Sequence, residues 1–243
     1  HWLWVEDRSC VVERGTDDSP SVTTGVVNDI SERQSTRQQI TRQNRALRMM
    51  SGVAQALVRY SDEQQMLAEV CTVTVDIGGY LMAWVGEVVQ GSDKRVVPTA
   101  SSGLSEHYLS TLKVTWDDSP NGHGPSGRAA RSGIPAIVRN IDNDPSFEPW
   151  RSAAREQGFL ATIALPLRVD GQVTGVLNLY SATLDPFDDE EITLLCNLAG
   201  ELGLGMSLQR SRQRLAQNEA MLLQAQRLAR LGHFTFEAKT DCL

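Results

Sequence analysis

Three glycines in the middle of the chain have the spacing of a loop that binds phosphate groups. Gly122, Gly124 and Gly127 form a GxGxxG pattern, and Asp142 follows Gly122 by 20 residues. In a dinucleotide site the glycines let the backbone approach a pyrophosphate, and the acidic residue binds a ribose hydroxyl. Here the segment WDDSPN separates the glycines from any predicted strand, and residues 127–132 are too few for a crossover helix. The pattern therefore does not indicate a dinucleotide-binding fold.

The same glycines suit a loop that meets a ligand at the start of a short helix. Backbone amides at a helix start and the guanidinium of Arg128 would bind an anionic or polar group there. We select Asp117 as a further polar contact because it precedes this loop, although the sequence DDSP also favours a simple turn. Trp116 and Trp150 lie in the neighbouring segments, where they either line a pocket or fill the core.

Thiol and metal chemistry find little support in the sequence. The cysteines at positions 10, 71, 196 and 242 show no pair spacing that is typical of metal or redox sites. Cys71 and Cys196 fall on the apolar faces of predicted helices, which indicates buried thiols in a reduced, cytoplasmic protein. In the central part of the chain, His107 and His123 are the only candidates for an axial haem ligand.

Residues 159–182 are predicted to form two long strands joined by a tight turn. Asp170-Gly171 stands between two runs of apolar and β-branched residues, which is a strong hairpin signal. Because side chains alternate along a strand, they separate into two sets. One face is apolar: Ile163, Leu165, Leu167, Val173, Gly175, Leu177 and Leu179. The other face is mixed: Thr162, Ala164, Pro166, Thr174, Val176, Asn178 and Tyr180. We expect helices on the apolar face and a ligand pocket on the mixed one.

Local signals predict the elements around this hairpin. One helix is predicted over 31–59, and Ser61 with Gln64 predicts the cap of a second helix that ends at Asp76. Asp188 with Glu191 predicts the cap of a final helix that passes residue 225. Further strands are predicted at 80–89, 95–103 and 134–140, and short helices at 105–112 and 149–157. In the first of these strands, Met82 and Trp84 share one side.

Both long helices carry heptad patterns. In the first, Ile40, Leu47 and Ala54 recur every seven residues beside a seam with polar positions. In the last, Leu208, Leu215, Leu222 and Ala229 recur every seven residues. The alternative for the first helix is a solvated surface helix. We expect coiled-coil pairing of these helices in a homodimer.

Composition limits the classes of function. The chain has 243 residues and a net charge of −7, which argues against a general nucleic-acid-binding protein. No apolar run approaches the ~18 residues of a membrane-spanning helix. The first residues do not have the pattern of a signal peptide, and because the sequence starts at His1 we expect it to be a piece of a longer protein.

The order of elements and two segments resemble a GAF domain. The first segment is GPSGRAARSGIPAIVRNI, which is followed directly by Asp142. The second segment is ATIALPLRVDGQVTGVLNLYS. The residues DISER at 29–33 resemble the end of a PAS domain, and RLARLGHFTFEAKTDCL resembles the start of another. We therefore assign 1–33 to the C-terminal strands of a PAS domain, 34–59 to a connector helix and 45–210 to the GAF domain. Residues 211–230 are assigned to a coiled-coil connector and 231–243 to the start of a second PAS domain.

The resemblance implies an α+β fold and a regulatory function. GAF domains have an antiparallel sheet with helices on one face and a loop-helix cap over a ligand pocket on the other. Flanking helices relay the ligand state to an output domain such as a diguanylate cyclase, phosphodiesterase or histidine kinase. On this basis the predicted ligand-binding residues are Trp84, Trp116, Asp117, Gly124, Arg128, Asp142, Trp150, Thr162, Asn178 and Tyr180.

The ligand is not specified by the sequence. Bilin attachment would need a cysteine in the cap region, and residues 77–195 contain none. Cyclic-nucleotide-binding GAF domains carry an Asn-Lys-Phe-Asp-Glu signature. The segment FDDEE at 187–191 is similar only to the end of this signature, and the sequence has no Asn-Lys pair. Neither cyclic nucleotide nor haem is therefore supported. The alternatives to a sensor are a dimerisation spacer whose pocket is filled by its own side chains, and a methionine sulfoxide reductase. The latter needs reactive cysteines in the pocket, so we expect no enzymatic activity.

Overall fold

The computed structural model describes residues 4–14, 20–103, 108–109 and 112–228, in two units of residues 1–51 and 52–243. Among the described residues, no helix is long and apolar enough to cross a membrane. The segment 231–243, which was predicted to begin a second PAS domain, lies outside the described residues.

The first unit contains a two-stranded antiparallel sheet and the beginning of a long helix. Strands β1 (Val5–Arg14) and β2 (Pro20–Asp29) pair with Val5 opposite Asp29. Helix α1 (Ser31–Arg59) follows, and the carboxylate of Asp29 accepts a 2.9 Å hydrogen bond from the backbone N–H of Ser31. These are the two strands and the helix that the sequence predicted. Their assignment to a PAS domain and a connector stays a prediction.

The second unit is built on a five-stranded antiparallel sheet with the strand order β4-β3-β7-β6-β5. The strands are β3 (Met82–Val88), β4 (Val96–Gly103), β5 (Ala136–Val138), β6 (Ala161–Val169) and β7 (Gln172–Ser181). The predicted central hairpin is β6 and β7. Asp170 and Gly171 have φ angles of 51° and 81°, the left-handed pair that a two-residue hairpin turn of type I′ requires.

Two helices cover one face of the sheet. They are α2 (Glu63–Asp76) and α5 (Asp189–Leu228). Their fully buried apolar residues include Val70 and Cys71 in α2 and Leu195, Leu198 and Leu202 in α5. Burial of a leucine side chain contributes roughly 1.5–3 kcal/mol, so this layer is a main source of stability.

The caps of these two helices follow the sequence signals with one correction. Asp188 accepts a 2.9 Å hydrogen bond from the N–H of Glu191, as predicted. The predicted cap of α2 at Ser61 is wrong by one residue. Asp62 caps this helix, because its carboxylate accepts a 2.8 Å hydrogen bond from the N–H of Gln65. A carboxylate is as good an acceptor for this purpose as a hydroxyl.

Short helices and loops form a cap on the other face of the sheet. Helix α3 (Pro125–Ser132) follows a 3-10 turn at Pro120–Gly122. A 3-10 helix at Pro145–Trp150 leads into α4 (Arg151–Glu156). The helix predicted at 149–157 is thus shorter than expected, since proline at position 149 suits the 3-10 segment. The helix predicted at 105–112 falls largely outside the described residues.

A bulge in β7 places two side chains on the opposite faces of the sheet from those predicted. Leu167 pairs with Gly175 and Arg168 pairs with Val173, so Thr174 is an extra residue. Because one extra residue reverses the alternation, Val173 packs on the cap side while Thr174 lies on the helix side. The sequence analysis had these two residues the other way round. Regular alternation resumes at Gly175, and the remaining residues of β7 lie on the predicted faces.

The predicted α+β architecture is confirmed, with helices on one face of the sheet and a cap on the other. The final helix passes residue 225, as expected. The coiled-coil pairing of α1 and α5 stays a prediction.

Candidate functional site

Six aromatic side chains form a buried cluster between the sheet and the cap. We call this set the aromatic cluster: Trp84, Tyr108, Phe147, Trp150, Phe159 and Tyr180. The ring centroids of Phe159 and Tyr180 are 4.6 Å apart, and Tyr108 meets both rings edge-on at 5.3 and 5.9 Å. Trp84 is completely buried. Pairs of this kind contribute about 0.5–1.5 kcal/mol beyond the area that they bury, so the cluster stabilises the domain.

Polar atoms converge inside this cluster on the hydroxyl of Tyr180. Burial raises the pKa of the Tyr180 phenol, and the neighbouring indole of Trp84 and hydroxyls of Tyr108 and Thr162 act in the opposite direction. Yet the indole Nε1 of Trp84 and the hydroxyl of Thr162 are buried without a hydrogen bond of good geometry. An unmet polar group of this kind costs about 1–3 kcal/mol. Both groups lie beside the Tyr180 hydroxyl, and neither is held there by a hydrogen bond of good geometry, which leaves each able to bind a further partner.

A second buried polar contact joins the cap to the sheet. Ser126 in α3 is 5% exposed and Asn178 in β7 is 1% exposed. The hydroxyl of Ser126 donates a 2.6 Å hydrogen bond to Oδ1 of Asn178. The amide nitrogen of Asn178 donates to the carbonyl of Val176 at 3.3 Å. The amide of Asn178 is thus occupied by partners within the protein.

The glycine pattern has a steric explanation. A Cβ atom on Gly124 would lie 2.3 Å from the ring of Trp150. A Cβ on Gly127 would lie 2.3 Å from the carbonyl oxygen of Gly122, and one on Gly122 would meet the carbonyl oxygen of Asp117. Since no side chain fits at these three positions, the glycines allow the cap to fold tightly.

The three predicted tryptophans have different environments. Trp84 is a fully buried member of the aromatic cluster, and Trp150 packs edge-on against Phe147 with ring centroids 5.6 Å apart. Trp116 lies at the border of the cluster, where its indole donates a 2.9 Å hydrogen bond to the carbonyl of Val89. The ammonium of Lys94 lies 5.2 Å from the ring centroid of Trp116. Trp116 therefore connects the cap loop to the end of β3 through this hydrogen bond.

Asp117 stabilises the turn in which it lies. Its carboxylate accepts 2.6 Å hydrogen bonds from the hydroxyls of Thr115 and Ser119. These hydroxyls lower the pKa of Asp117 from its ordinary value of 3.8 to about 2. The contacts of the Asp117 carboxylate are with its own loop, which is the turn-forming role that the sequence left open.

Arg128 and Asp142 do not lie in the aromatic cluster. Helix α3 turns Ser126, Ala129 and Ala130 toward the core, so Arg128 points to a surface groove of about 470 Å³ beside β5. Its guanidinium reaches the carbonyl of Ile137 at 3.4 Å. Asp142 forms a 2.5 Å ion pair with Arg155, and its side chain is 41% exposed. The structure therefore brings together Trp84, Thr162 and Tyr180, with Asn178 and Trp150 nearby, and leaves Arg128 and Asp142 outside.

Sequence reasoning missed four buried residues of this site: Tyr108, Ser126, Phe147 and Phe159. Ser126 could have been found, because it has helical spacing with Ala129 and Ala130 across the inner face of α3. Phe147 and Phe159 are two of only five phenylalanines in the chain. No regular spacing connects them to the sheet, because Phe147 lies in the 3-10 helix Pro145–Trp150 and Phe159 lies in the loop before β6.

Cys71, Cys196 and His123 do not belong to the aromatic cluster. Cys71 is buried in α2 on the helix side of the sheet, and burial raises the pKa of its thiol to about 12. Burial also raises the pKa of Cys196 in α5. His123 is half exposed and lies 2.9 Å from Asp118 on the cap surface, and His107 lies outside the described residues. In the part of the chain that the structure describes, no group of three or more His, Cys, Asp or Glu residues could hold a metal ion.

Solved structures share this architecture. The free methionine-R-sulfoxide reductase of Neisseria meningitidis matches with a TM-score of 0.56 and 21% identity, over 69% of this chain and 93% of that one. The GAF domain of a phosphoenolpyruvate-protein phosphotransferase from Coxiella burnetii matches with a TM-score of 0.57 and 16% identity, over 70% and 96%. At such identities the likeness shows the fold alone.

Regulatory proteins share part of the sequence. The Nif-specific regulatory protein of Azospirillum lipoferum is 28% identical over 125 residues, which is 46% of this chain. Its counterpart from Azospirillum brasilense is 27% identical over the same length. The match covers only 18% of the length of either relative.

The family profile of the GAF domain matches residues 61–207. This range begins just before α2 and ends within α5, so it includes the whole five-stranded sheet and the cap. Since the match extends over more than half of the sequence, the chain belongs to the GAF domain family.

Proposed function

We propose that this GAF domain binds a small molecule between the sheet and the cap and relays its presence to an output domain. The observation that carries this proposal is the pair of unmet polar groups, Trp84 Nε1 and Thr162 Oγ1, inside an aromatic cluster. In a core that evolved for packing alone, such groups are expected to be apolar or paired. A ligand that supplies hydrogen-bond partners explains why they are present.

The relay would act through the long helices. The leucines of the heptad pattern in α5 are exposed: Leu208 by 53%, Leu215 by 63% and Leu222 by 64%. In α1, Ile40 and Leu47 are exposed by 53% and 69%. Apolar residues at heptad spacing are normally covered by a partner helix, so we propose that a second copy of the chain covers them. Binding would then shift the balance between two arrangements of the paired helices.

A dimerisation spacer is the second candidate. It is favoured by the close contacts of the rings, such as the 4.6 Å separation of Phe159 and Tyr180, which already fill much of the region. In this case Trp84 and Thr162 would keep their unmet groups at a cost in stability, and no ligand would relieve it.

We propose that the domain has no reductase activity. A thiol acts as a nucleophile in its thiolate form. Cys71 and Cys196 lie in helices on the face of the sheet opposite the cap, and the pKa of each thiol is raised. The similarity to Nif-specific regulatory proteins fits a signalling role. We propose that the protein acts in a reduced, cytoplasmic environment.

The test is a thermal-shift screen of the chain with a panel of soluble metabolites. Any compound that raises the melting temperature should raise it less in Thr162→Val, which keeps the side-chain shape but removes the hydroxyl. Thr193→Val is the matched control, because the Thr193 hydroxyl bonds only to its own helix, at the carbonyl of Asp189. Equal shifts in wild type and Thr162→Val would contradict the proposed site.

A further inference from the structure

A groove of about 500 Å³ lies on the opposite face of the sheet from the aromatic cluster. We call it the helix-side groove. Its floor is formed by β3, β4 and β7, and its walls by the first turn of α2 and the middle of α5. Leu67 and Met206 supply an apolar lining. This volume is within the range of small-molecule sites, which is roughly 300–1,000 Å³.

Two β-bulges of the large sheet lie at this groove, and the extra residue of each bulge lines it. In β4, Val85 pairs with Ala100 and Gly86 pairs with Pro98, so Thr99 is an extra residue. In β7 the extra residue is Thr174. Both threonines line the helix-side groove. Bulges are common next to binding sites because they redirect a side chain, and here they bring two hydroxyls into the groove.

One of these hydroxyls has no partner. Thr99 Oγ1 donates a 3.1 Å hydrogen bond to the carbonyl of Val85. Thr174 Oγ1 is buried and has no hydrogen bond among the described residues. Because the strand places this hydroxyl under the helix layer without a partner, packing alone does not account for it.

The rim of the groove carries more negative than positive charge. Arg210 is occupied by Glu63, with Nε to Oε2 at 2.8 Å and Nη2 to Oε1 at 2.6 Å. Glu87 on β3 is exposed and forms no ion pair or hydrogen bond within the described part of the chain, although its charge acts on Arg210. Asp62 is also on the rim, where it caps α2. The group left for a ligand is thus the Glu87 carboxylate, above an apolar wall and a free hydroxyl.

We propose that the helix-side groove binds a small organic cation, with an ammonium or guanidinium group at Glu87 and an apolar body against Leu67 and Met206. Thr174 would accept or donate the remaining hydrogen bond. This site is separate from the one between the sheet and the cap and does not depend on it.

Such a ligand would act directly on the outgoing helix. Met206, Arg210 and Gln213 of α5 line the groove, and the exposed heptad leucines Leu208 and Leu215 are on the same helix segment. A cation bound at Glu87 would neutralise a negative charge that acts on Arg210 and would thereby weaken the contact between α2 and α5. The groove therefore offers a second input that affects the same helix.

The test uses three probes of similar shape on the full chain: phenethylamine, 2-phenylethanol and 3-phenylpropionate. Agmatine is the fourth probe, because it carries an ammonium and a guanidinium group. Binding is followed by the NMR shifts of the backbone amides of Gly86, Thr174 and Gly175. We expect the two cations to shift these amides at about 1 mM, the alcohol to act more weakly and the anion to have no effect. High salt should weaken the cations.

Variants then identify the residues. Glu87→Gln and Thr174→Val should each weaken cation binding by about three- to tenfold. Glu148→Gln removes the same charge from an exposed position on the cap side and should leave binding unchanged. The proposal is overturned if neither cation shifts these amides, if the anion binds as well as the amine, or if Glu87→Gln and Glu148→Gln behave alike.

Discussion

The hydroxyl of Ser126 and the amide oxygen of Asn178 are 2.6 Å apart and form a buried hydrogen bond between the cap helix α3 and strand β7. This bond connects the element that would close over a ligand with the sheet on which the ligand would lie. Its partner atoms are shielded from water, so the bond contributes to holding α3 against β7.

Ser126→Ala should therefore destabilise the domain by about 1–3 kcal/mol, because the amide oxygen of Asn178 is left buried without a donor. The free energy of unfolding in urea measures this change, and hydrogen exchange of residues 115–132 should increase as the cap loosens. Ser132→Ala is the control, since that exposed hydroxyl has only local partners, the carbonyl of Arg128 and the backbone of Ile134. Similar losses in both variants would contradict the assigned role of Ser126.

Gly124→Ala should destabilise the domain by about 1–3 kcal/mol through overpacking, because its Cβ would lie 2.3 Å from the ring of Trp150. The backbone at Gly124 has φ −64° and imposes no strain on alanine. Gly200→Ala is the opposite case. Apart from the backbone of its own helix and its chain neighbours, no atom lies within 4 Å of its Cβ, and alanine in a helix interior should stabilise by about 0.5–1 kcal/mol. Thermal unfolding should move in opposite directions in the two variants.

The turn at Asp117 should weaken in acid. Hydroxyl donors hold the pKa of Asp117 at about 2, below its ordinary value of 3.8. A lowered pKa in the folded state adds stability at higher pH, and this contribution is lost as pH falls from 3.8 toward 2. Carbon-detected NMR titration gives the pKa directly. Thr115→Val removes one donor and should raise the pKa toward 3.8. An unchanged pKa would show that the hydroxyls are not the cause.

Thiol labelling should separate Cys10 from Cys71. Cys10 is exposed, whereas Cys71 is buried and has a pKa raised to about 12. With iodoacetamide at pH 8, mass mapping should find rapid modification of Cys10 and protection of Cys71 until the domain unfolds. Rapid modification of Cys71 in the native protein would instead support thiol chemistry on the helix side.

The exposed leucines of α5 should determine the oligomeric state. Leu215→Asp places a charge in the proposed seam and should shift the chain from dimer to monomer in sedimentation equilibrium. Gln217→Asp introduces the same charge on the same helix outside the heptad positions and should leave the dimer intact. A wild-type chain that remains monomeric at high concentration would contradict the helix-pairing proposal.

The parts of the fold that depend on local sequence could be predicted. The Asp170-Gly171 turn follows from residues that tolerate positive φ, and alternation along the hairpin correctly placed Thr162 and Tyr180 on the same face. The exchange of Val173 and Thr174 could not be predicted, because the bulge depends on how β7 pairs with β6.

The position of Arg128 shows a second limit. Its place after a glycine-rich loop favoured contact with a ligand, but the orientation of α3 is set by Ser126, Ala129 and Ala130, which are buried against the sheet. The charge of Arg128 is thereby directed to the surface. Phe147 and Phe159 join the aromatic cluster through tertiary packing, which no periodic pattern encodes.

The most direct test of the central claim is native mass spectrometry of the gently purified chain, compared with the same sample after denaturation. If a small molecule occupies the site between the sheet and the cap, the native protein should carry an added mass that disappears on denaturation. The added mass should be reduced or absent in Thr162→Val and retained in Thr193→Val. A native mass equal to that of the chain or its dimer, with no ligand found in the metabolite screen, would contradict small-molecule binding and favour the spacer.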